Sequence, residues 1–229
     1  MTLKQRKAKS KYERERRRLH RLARFENAAR DRGFVLVAGI DEVGRGPLAG
    51  PVVAACVVAS RPLMLRGLND SKQVQPEVRR RLADEIKGCV DAWTIGSASV
   101  AEIDRLNIYY ASILAMERAI AALPFVPEYL ITDAVRIRSF AGPQEPLIKG
   151  DARCAVVAAA SIVAKVYRDA LLEELDREDP RYGFAAHKGY STPEHIAALE
   201  TYGPCVHHRA NWARVQALMP ELFGHAPRG

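Results

Sequence analysis

Two regimes of apolar spacing alternate along the chain: short unbroken apolar runs, and longer stretches with an apolar residue every three or four positions. A run from Phe34 to Ile40 ends at Asp41-Glu42, gives way to a Gly- and Pro-rich turn, and resumes from Val52 to Ala59. Apolar runs of that length bounded by turn residues predict a strand, a tight loop and a second strand. Val78, Leu82 and Ile86 recur every four residues before Gly88, which predicts a short amphipathic helix with a glycine stop. Ala92 to Ala98 predicts a third strand. From Val100, the residues Ile103, Leu106, Tyr110, Ile113, Leu114, Glu117 and Ile120 keep helical spacing as far as Pro124, predicting one longer helix. Tyr129 to Thr132 and Pro146 to Lys149 predict two short strands leading into Asp133 and into Gly150-Asp151. The segment from Ala152 to about Leu175 begins apolar nearly all round, the signature of a helix buried against a sheet.

Strands clustered early and helices interleaved predict an α/β fold, a mixed β-sheet flanked by helices, with a small helical C-terminal segment. The expected organisation is a basic N-terminal extension at 1–33, a catalytic domain at 34–190 and a helical segment at 191–229, anchored by Trp212.

Charge sharpens this division. The chain has 229 residues and a formal charge of +8. Residues 1–33 carry 13 Lys/Arg against 4 Asp/Glu, which leaves 22 basic and 23 acidic residues beyond them, so the body is near neutral. The run Lys11-Tyr12-Glu13-Arg14-Glu15-Arg16-Arg17-Arg18 reads either as a helix whose cationic side attracts a phosphate backbone or as a solvated, frayed extension. No apolar run reaches the roughly 18 residues of a membrane helix, and the basic N-terminus lacks the apolar core of a signal peptide. The expected setting is therefore the cytoplasm, with no membrane partner and a monomeric chain. Cys56, Cys89, Cys154 and Cys205 are far apart with no C-x-x-C pair, the pattern of reduced thiols rather than of a zinc or disulfide framework.

Asp41, Glu42, Asp133 and Asp151 each stand at the end of a strand-like run, and strand ends facing a cleft are where sites are built. Taken singly, each is ordinarily a cap or a surface charge. Four in equivalent positions are harder to explain by folding, because clustered carboxylates repel unless cations sit between them. Oxygen-only donors favour Mg²⁺ or Mn²⁺ over zinc. Neighbouring strand residues face opposite ways, so Asp41 and Glu42 are expected to share a site through a break in alternation at Glu42, eased by Gly44 and Gly46. Asp151 is expected at the positive end of the Ala152 helix, with Ser161 and Lys165 near its helical face. At about 1.5 Å per residue Lys165 would lie roughly 21 Å along the axis from Asp151, a distance suited to a neighbouring phosphate.

The segment Gly39-Ile40-Asp41-Glu42-Val43-Gly44-Arg45-Gly46-Pro47-Leu48-Ala49-Gly50-Pro51 resembles the signature of the ribonuclease HII family. The resemblance continues through Leu68-Asn69-Asp70-Ser71-Lys72, Ile103-Asp104-Arg105-Leu106-Asn107-Ile108, Lys149-Gly150-Asp151, Ala158 to Val166 with Arg168-Asp169, and Tyr182-Gly183-Phe184 with His187-Lys188-Gly189-Tyr190, covering about residues 36 to 212. It implies a ribonuclease H-like fold and cleavage of the RNA strand of RNA/DNA hybrids and of single ribonucleotides in duplex DNA. It further implies a two-metal site on Asp41, Glu42, Asp133 and Asp151, with Asp41 bridging two ions about 3.5–4 Å apart and 5′-phosphate and 3′-hydroxyl products. In that family the backbone of the loop matching Gly44-Arg45-Gly46 and the tyrosine matching Tyr190 approach the ribose 2′-hydroxyl, while Lys72, Ser161 and Lys165 match residues that position the phosphate backbone. Two positions depart from the family pattern: Ala134 stands where glycine is expected after Asp133, and Gln73 where a second lysine is expected. The related ribonuclease HIII pattern carries Gly-Thr-Gly, and Arg45 argues against it. A catalytically silent hybrid-binding module would lack a carboxylate, and none is missing. Leu222-Phe223 is a candidate apolar docking motif for a replication clamp, packing on its own domain being the alternative.

Overall fold

The computed structural model describes residues 3–218, with side chains from residue 10 onward, so Leu222-Phe223 lies outside the described residues. The chain runs α1 (Leu3–Leu22), α2 (Arg24–Asp31), β1 (Val37–Val43), β2 (Val52–Ala59), a 3-10 turn at Ser71–Gln73, α3 (Pro76–Cys89), β3 (Ala92–Ala98), α4 (Val100–Leu106), α5 (Ile108–Ala121), β4 (Tyr129–Asp133) and β5 (Gln144–Leu147). It continues through α6 (Gly150–Arg153), α7 (Ala155–Glu178), a 3-10 turn at Pro180–Tyr182, α8 (Phe184–His187), α9 (Pro193–Tyr202) and α10 (Ala213–Gln216). The five strands form one sheet in the order β3-β2-β1-β4-β5. β1 pairs antiparallel with β2 and parallel with β4, so the mixed sheet expected from the sequence is present.

Strand alternation divides the core. Val52, Ala54, Cys56 and Val58 of β2 pack with α5 on one face, while Ala55 and Val57 join α7 on the other. The first ten residues of α7 are all buried, because this end of the helix lies directly on β1. The approach is close: a Cβ on Gly39 would overlap the Val156 backbone, and one on Gly96 the Ala115 carbonyl of α5. Glycine opposite small helical residues is how both layers come within backbone contact of the sheet.

Two predicted helices are each divided. Asn107, at φ 67, separates α4 from α5, and its carboxamide oxygen accepts the N–H groups of Tyr109 and Tyr110 as the cap of the second helix. The buried face of α5 is Ala111, Ser112, Ala115, Met116 and Ala119, and Tyr110 is exposed. Cys154, in extended conformation, likewise separates α6 from α7. Asp151 therefore stands in the first turn of a four-residue helix and not on α7, which removes the shared face with Ser161 and Lys165 and the axial distance inferred from it.

The basic extension forms two helices. Leu19, Leu22, Ala23 and Ala29 enter the α7-side core, and the buried Glu26 accepts the N–H of Val156 at 2.9 Å, capping α7 from 130 residues away. Glu15 and Arg18 bond the chain at Gly67 N and Leu68 O, just ahead of the Ser71–Gln73 turn.

Candidate active site

β1 carries Asp41 and Glu42 at its end, and the next element along the sheet, β4, ends at Asp133. Ile40 is in register with Thr132, so Asp41 and Asp133 follow as neighbours on adjacent parallel strands. Asp133 accepts the N–H of Gly150 at 2.8 Å, tying β4 to the start of α6, where Asp151 follows. The β1–β2 register continues through Glu42 and Val43, so the expected break in alternation does not occur at Glu42; the chain turns at Gly44, φ 97.

The four carboxylates feel one another across these ends. Asp41 is buried, and burial first, then the charges of Glu42, Asp133 and Asp151, push its carboxyl well above the ordinary 3.8, against the pull of a Ser161 hydrogen bond. Burial also raises Glu42, with Asp133 adding to the effect and Arg45, 3.3 Å from Glu42 Oε1, opposing it. Glu42 Oε2 is buried without a hydrogen-bond partner. Asp151 is raised by burial and by the charges of Asp70 and Asp133. Among the described residues no three such groups converge into a ready-made metal cage. What the carboxylates present is an acidic, oxygen-only cluster carrying one orphaned oxygen, and divalent-cation chemistry fits that donor set.

The predicted substrate contacts separate into two groups. Lys72 is exposed, with Nζ 3.7 Å from Asp151 Oδ2. Burial works against its charge, but Asp151, Asp70, Asp41 and Asp133 outweigh it and hold the ammonium protonated. Ser161 and Lys165 are turned inward. The Ser161 and Ser71 hydroxyls are hydrogen-bonded to each other at 2.9 Å, and Lys165 Nζ lies 2.6 Å from Asp169 Oδ1 with little exposure. Both side chains are already engaged within the protein.

Gly44, Arg45 and Gly46 leave β1 as a loop whose far end meets the segment around Tyr190. A Cβ built on Gly46 would lie 3.8 Å from Cε1 of Tyr190, so the half-exposed ring stands beside that glycine. Leu48 N donates to Gly189 O at 2.8 Å, and a Cβ on Gly189, φ 81, would meet Ala49 O at 2.6 Å. Two buried guanidinium groups that sequence reasoning did not assign to the site bind this region. Arg168 donates to the carbonyls of Pro51, Ala49 and Lys188, each at 3.0 Å. Arg209 donates to Gly44 O at 2.5 Å, Arg45 O at 3.1 Å and Gly50 O at 2.8 Å. An arginine within so apolar a helix was a signal for the first; for the second, the sequence offered only a basic residue beside a histidine pair.

Comparison with known proteins identifies the family and the fold. A family model described as Ribonuclease HII matches residues 38–215. The ribonuclease HII of Geobacillus thermodenitrificans is 49% identical over 210 residues, covering 92% of this chain and 81% of its own length. Among solved structures, the ribonuclease H2 of Pyrococcus horikoshii aligns at TM-score 0.69 and 26% identity, over 83% of this chain and 100% of that one. The ribonuclease HII of Archaeoglobus fulgidus, solved in complex with PCNA, aligns at TM-score 0.65 and 28% identity, over 77% of this chain and 95% of its own.

Proposed function

The chain belongs to the ribonuclease HII family, whose members hydrolyse the RNA strand of RNA/DNA hybrids, and from that membership we propose that it also cuts duplex DNA on the 5′ side of a single embedded ribonucleotide. The observation that carries this reading is the adjacency of Tyr190 and Gly46, on a loop that leaves directly from the strand bearing Asp41 and Glu42. A loop and a ring that share one small surface read one sugar and its neighbour. A reader of hybrid shape alone would need several consecutive ribonucleotides.

Asp41, Glu42, Asp133 and Asp151 are the residues that would hold Mg²⁺ or Mn²⁺, taken here as a pair of ions. When bound, such cations supply an activated water and electrostatic stabilisation of the phosphate and of the leaving 3′-oxygen. The chain's own groups prepare the site. Ser161 orients Asp41, the Gly150 amide orients Asp133, and Lys72 offers an exposed cation beside Asp151 to a substrate phosphate. Backbone groups of Gly44-Arg45-Gly46 approach the 2′-hydroxyl without a Cβ in the way at the glycines. Deoxyribose leaves such a contact unpaired, which is the basis of discrimination. The products are a 5′-phosphate and a 3′-hydroxyl, and the cellular role is removal of misincorporated ribonucleotides and primer remnants. The clamp complex of the Archaeoglobus relative supports a similar partner for Leu222-Phe223.

Tyr190→Ala tests the reading. Removal of one oriented contact is worth on the order of 1–3 kcal/mol, so kcat/KM on a single-ribonucleotide duplex falls about ten- to a hundredfold, and at least as far as on a long hybrid. A variant crippled on the hybrid but unimpaired on the single ribonucleotide would overturn it.

A further inference from the structure

Beneath Tyr190 lies a chain of three buried or half-buried imidazole and carbonyl contacts that the reaction itself does not use. Cys205 N donates to His208 Nδ1 at 3.0 Å, so that nitrogen is the acceptor and the proton of a neutral ring sits on Nε2. His208 Nε2 faces His195 Nε2 at 3.0 Å, and His195 Nδ1 faces the carbonyl of Tyr190 at 2.8 Å. A carbonyl only accepts, so His195 carries its proton on Nδ1 and receives from His208 on Nε2. One polarity satisfies every link, running from the Cys205 amide through two imidazoles to Tyr190 O. Both rings are nearly or fully buried, and burial holds each below the ordinary histidine range, His208 at about 4, in keeping with neutral rings. Cys205 meets His208 on the nitrogen opposite to the one facing His195, so the three do not share a centre for a metal.

The next residue along the chain is Arg209, fully buried and held by carbonyls of the loop on the other side of the reader. A buried guanidinium is costly unless its donors are satisfied. Here they are spent on Gly44, Arg45 and Gly50, and Arg209 N donates to Leu48 O at 2.8 Å. Two adjacent residues thus grip the two halves of one surface.

We propose that His208 and Arg209 are a positioning pair that sets the ribose reader: Arg209 fixes the backbone of Gly44-Arg45, and His208, acting through His195, fixes the backbone of Tyr190. This rests on the reading of that loop and tyrosine as the ribose contact. Neither residue touches substrate. Specificity for a single ribonucleotide depends on both because the 2′-hydroxyl contact requires loop and ring at one fixed separation, and a shift of about 1 Å at a positioned group can cost a hundredfold in rate.

The test is a double-mutant cycle on kcat/KM for a single-ribonucleotide duplex, with melting temperatures recorded for every variant. His208→Gln keeps a donor at the Nε2 position and retains wild-type kcat/KM within about twofold; His208→Asn is polar but too short to reach His195 and loses about tenfold. In a Tyr190→Ala background, His208→Asn costs less than about twofold further, because the group it positions is gone. Arg209→Lys, which cannot span three carbonyls, loses about tenfold in either background. Should His208→Asn not fold, His195→Gln breaks the final link and enters the same cycle. Full additivity of the histidine and tyrosine losses, or failure of His208→Gln to preserve activity, overturns the His208 assignment. Wild-type activity in Arg209→Lys overturns the Arg209 assignment. If Tyr190→Ala itself leaves kcat/KM unchanged, the ribose-reader assignment falls first; if it lowers kcat/KM and neither His208→Asn nor Arg209→Lys does, the positioning proposal alone falls.

Discussion

Ala134 follows Asp133 with φ 57, in the left-handed region that disfavours a side chain. The resemblance leads to an expectation of glycine there, and the backbone gives the physical reason. Left-handed backbone costs an alanine about 1–2 kcal/mol, whereas glycine costs roughly 0.4–1 kcal/mol in unfolded-chain entropy. Ala134→Gly should therefore raise stability slightly, by no more than about 1.5 kcal/mol, seen as a higher Tm with unchanged cleavage. At Asp41 the balance is electrostatic. Its folded carboxyl lies well above the ordinary 3.8, so in metal-free buffer folding favours the protonated form, and stability declines as pH rises from that value through the folded one. Asp41→Asn and Asp133→Asn should abolish cleavage while leaving hybrid binding through the exposed Lys72, read by a gel-shift titration beside the cleavage assay. Without metal at neutral pH, Asp41→Asn melts above wild type, an advantage that shrinks in acid. Normal turnover in either variant, or a metal-free Asp41→Asn that melts lower at neutral pH, contradicts the carboxylate assignment. The convergence of the carboxylates was legible because four acids ending apolar runs in one chain are harder to explain by folding than any one of them alone. The contacts of Ser71, Arg168 and Arg209 were not, because their partners lie 90 to 165 residues away in the chain.

At the scale of elements, β2 and β3 are bounded as the apolar runs predict, because each run is closed by turn residues or charge. The helices show what periodicity misses. Large residues at helical spacing from Val100 suggested one helix, yet the sheet accepts an alanine face of α5, since Gly96 brings the two backbones together. Asn107 then ends α4 and caps α5, a double role invisible to hydrophobic spacing. Asn107→Ala should cost about 0.5–2 kcal/mol, read by chemical denaturation, because two amides lose their acceptor and a left-handed residue loses the side chain that tolerates it best. A loss under about 0.3 kcal/mol would show the cap to be dispensable. Cys154 breaks the next predicted helix by its extended backbone, without a side-chain cap, and so places Asp151 beside Asp133 instead of along α7.

For the whole molecule, the sequence set the basic extension apart by charge, and the structure weaves its second half into the core. Leu19, Leu22, Ala23 and Glu26 support α7, so deleting residues 1–33 would remove core as well as charge. The charge is better tested in place. Lys11, Arg14, Arg17 and Arg21 are exposed on α1, and replacing them with glutamine should raise KM and flatten its salt dependence, by about 0.7–0.9 in logarithmic slope for each phosphate no longer neutralised, with kcat nearly constant. A tenfold fall in kcat with the fold intact would instead tie α1 to the chemistry. The central claim, that carboxylates and ribose reader form one site, is tested most directly by the wild-type protein with Mg²⁺ or Mn²⁺ on two labelled substrates, an RNA/DNA hybrid and a DNA duplex with one ribonucleotide. Cleavage of both, with the duplex cut once on the 5′ side of its ribonucleotide to leave a 3′-hydroxyl and a 5′-phosphate, is the predicted result; cleavage of the hybrid with the duplex left intact would contradict it.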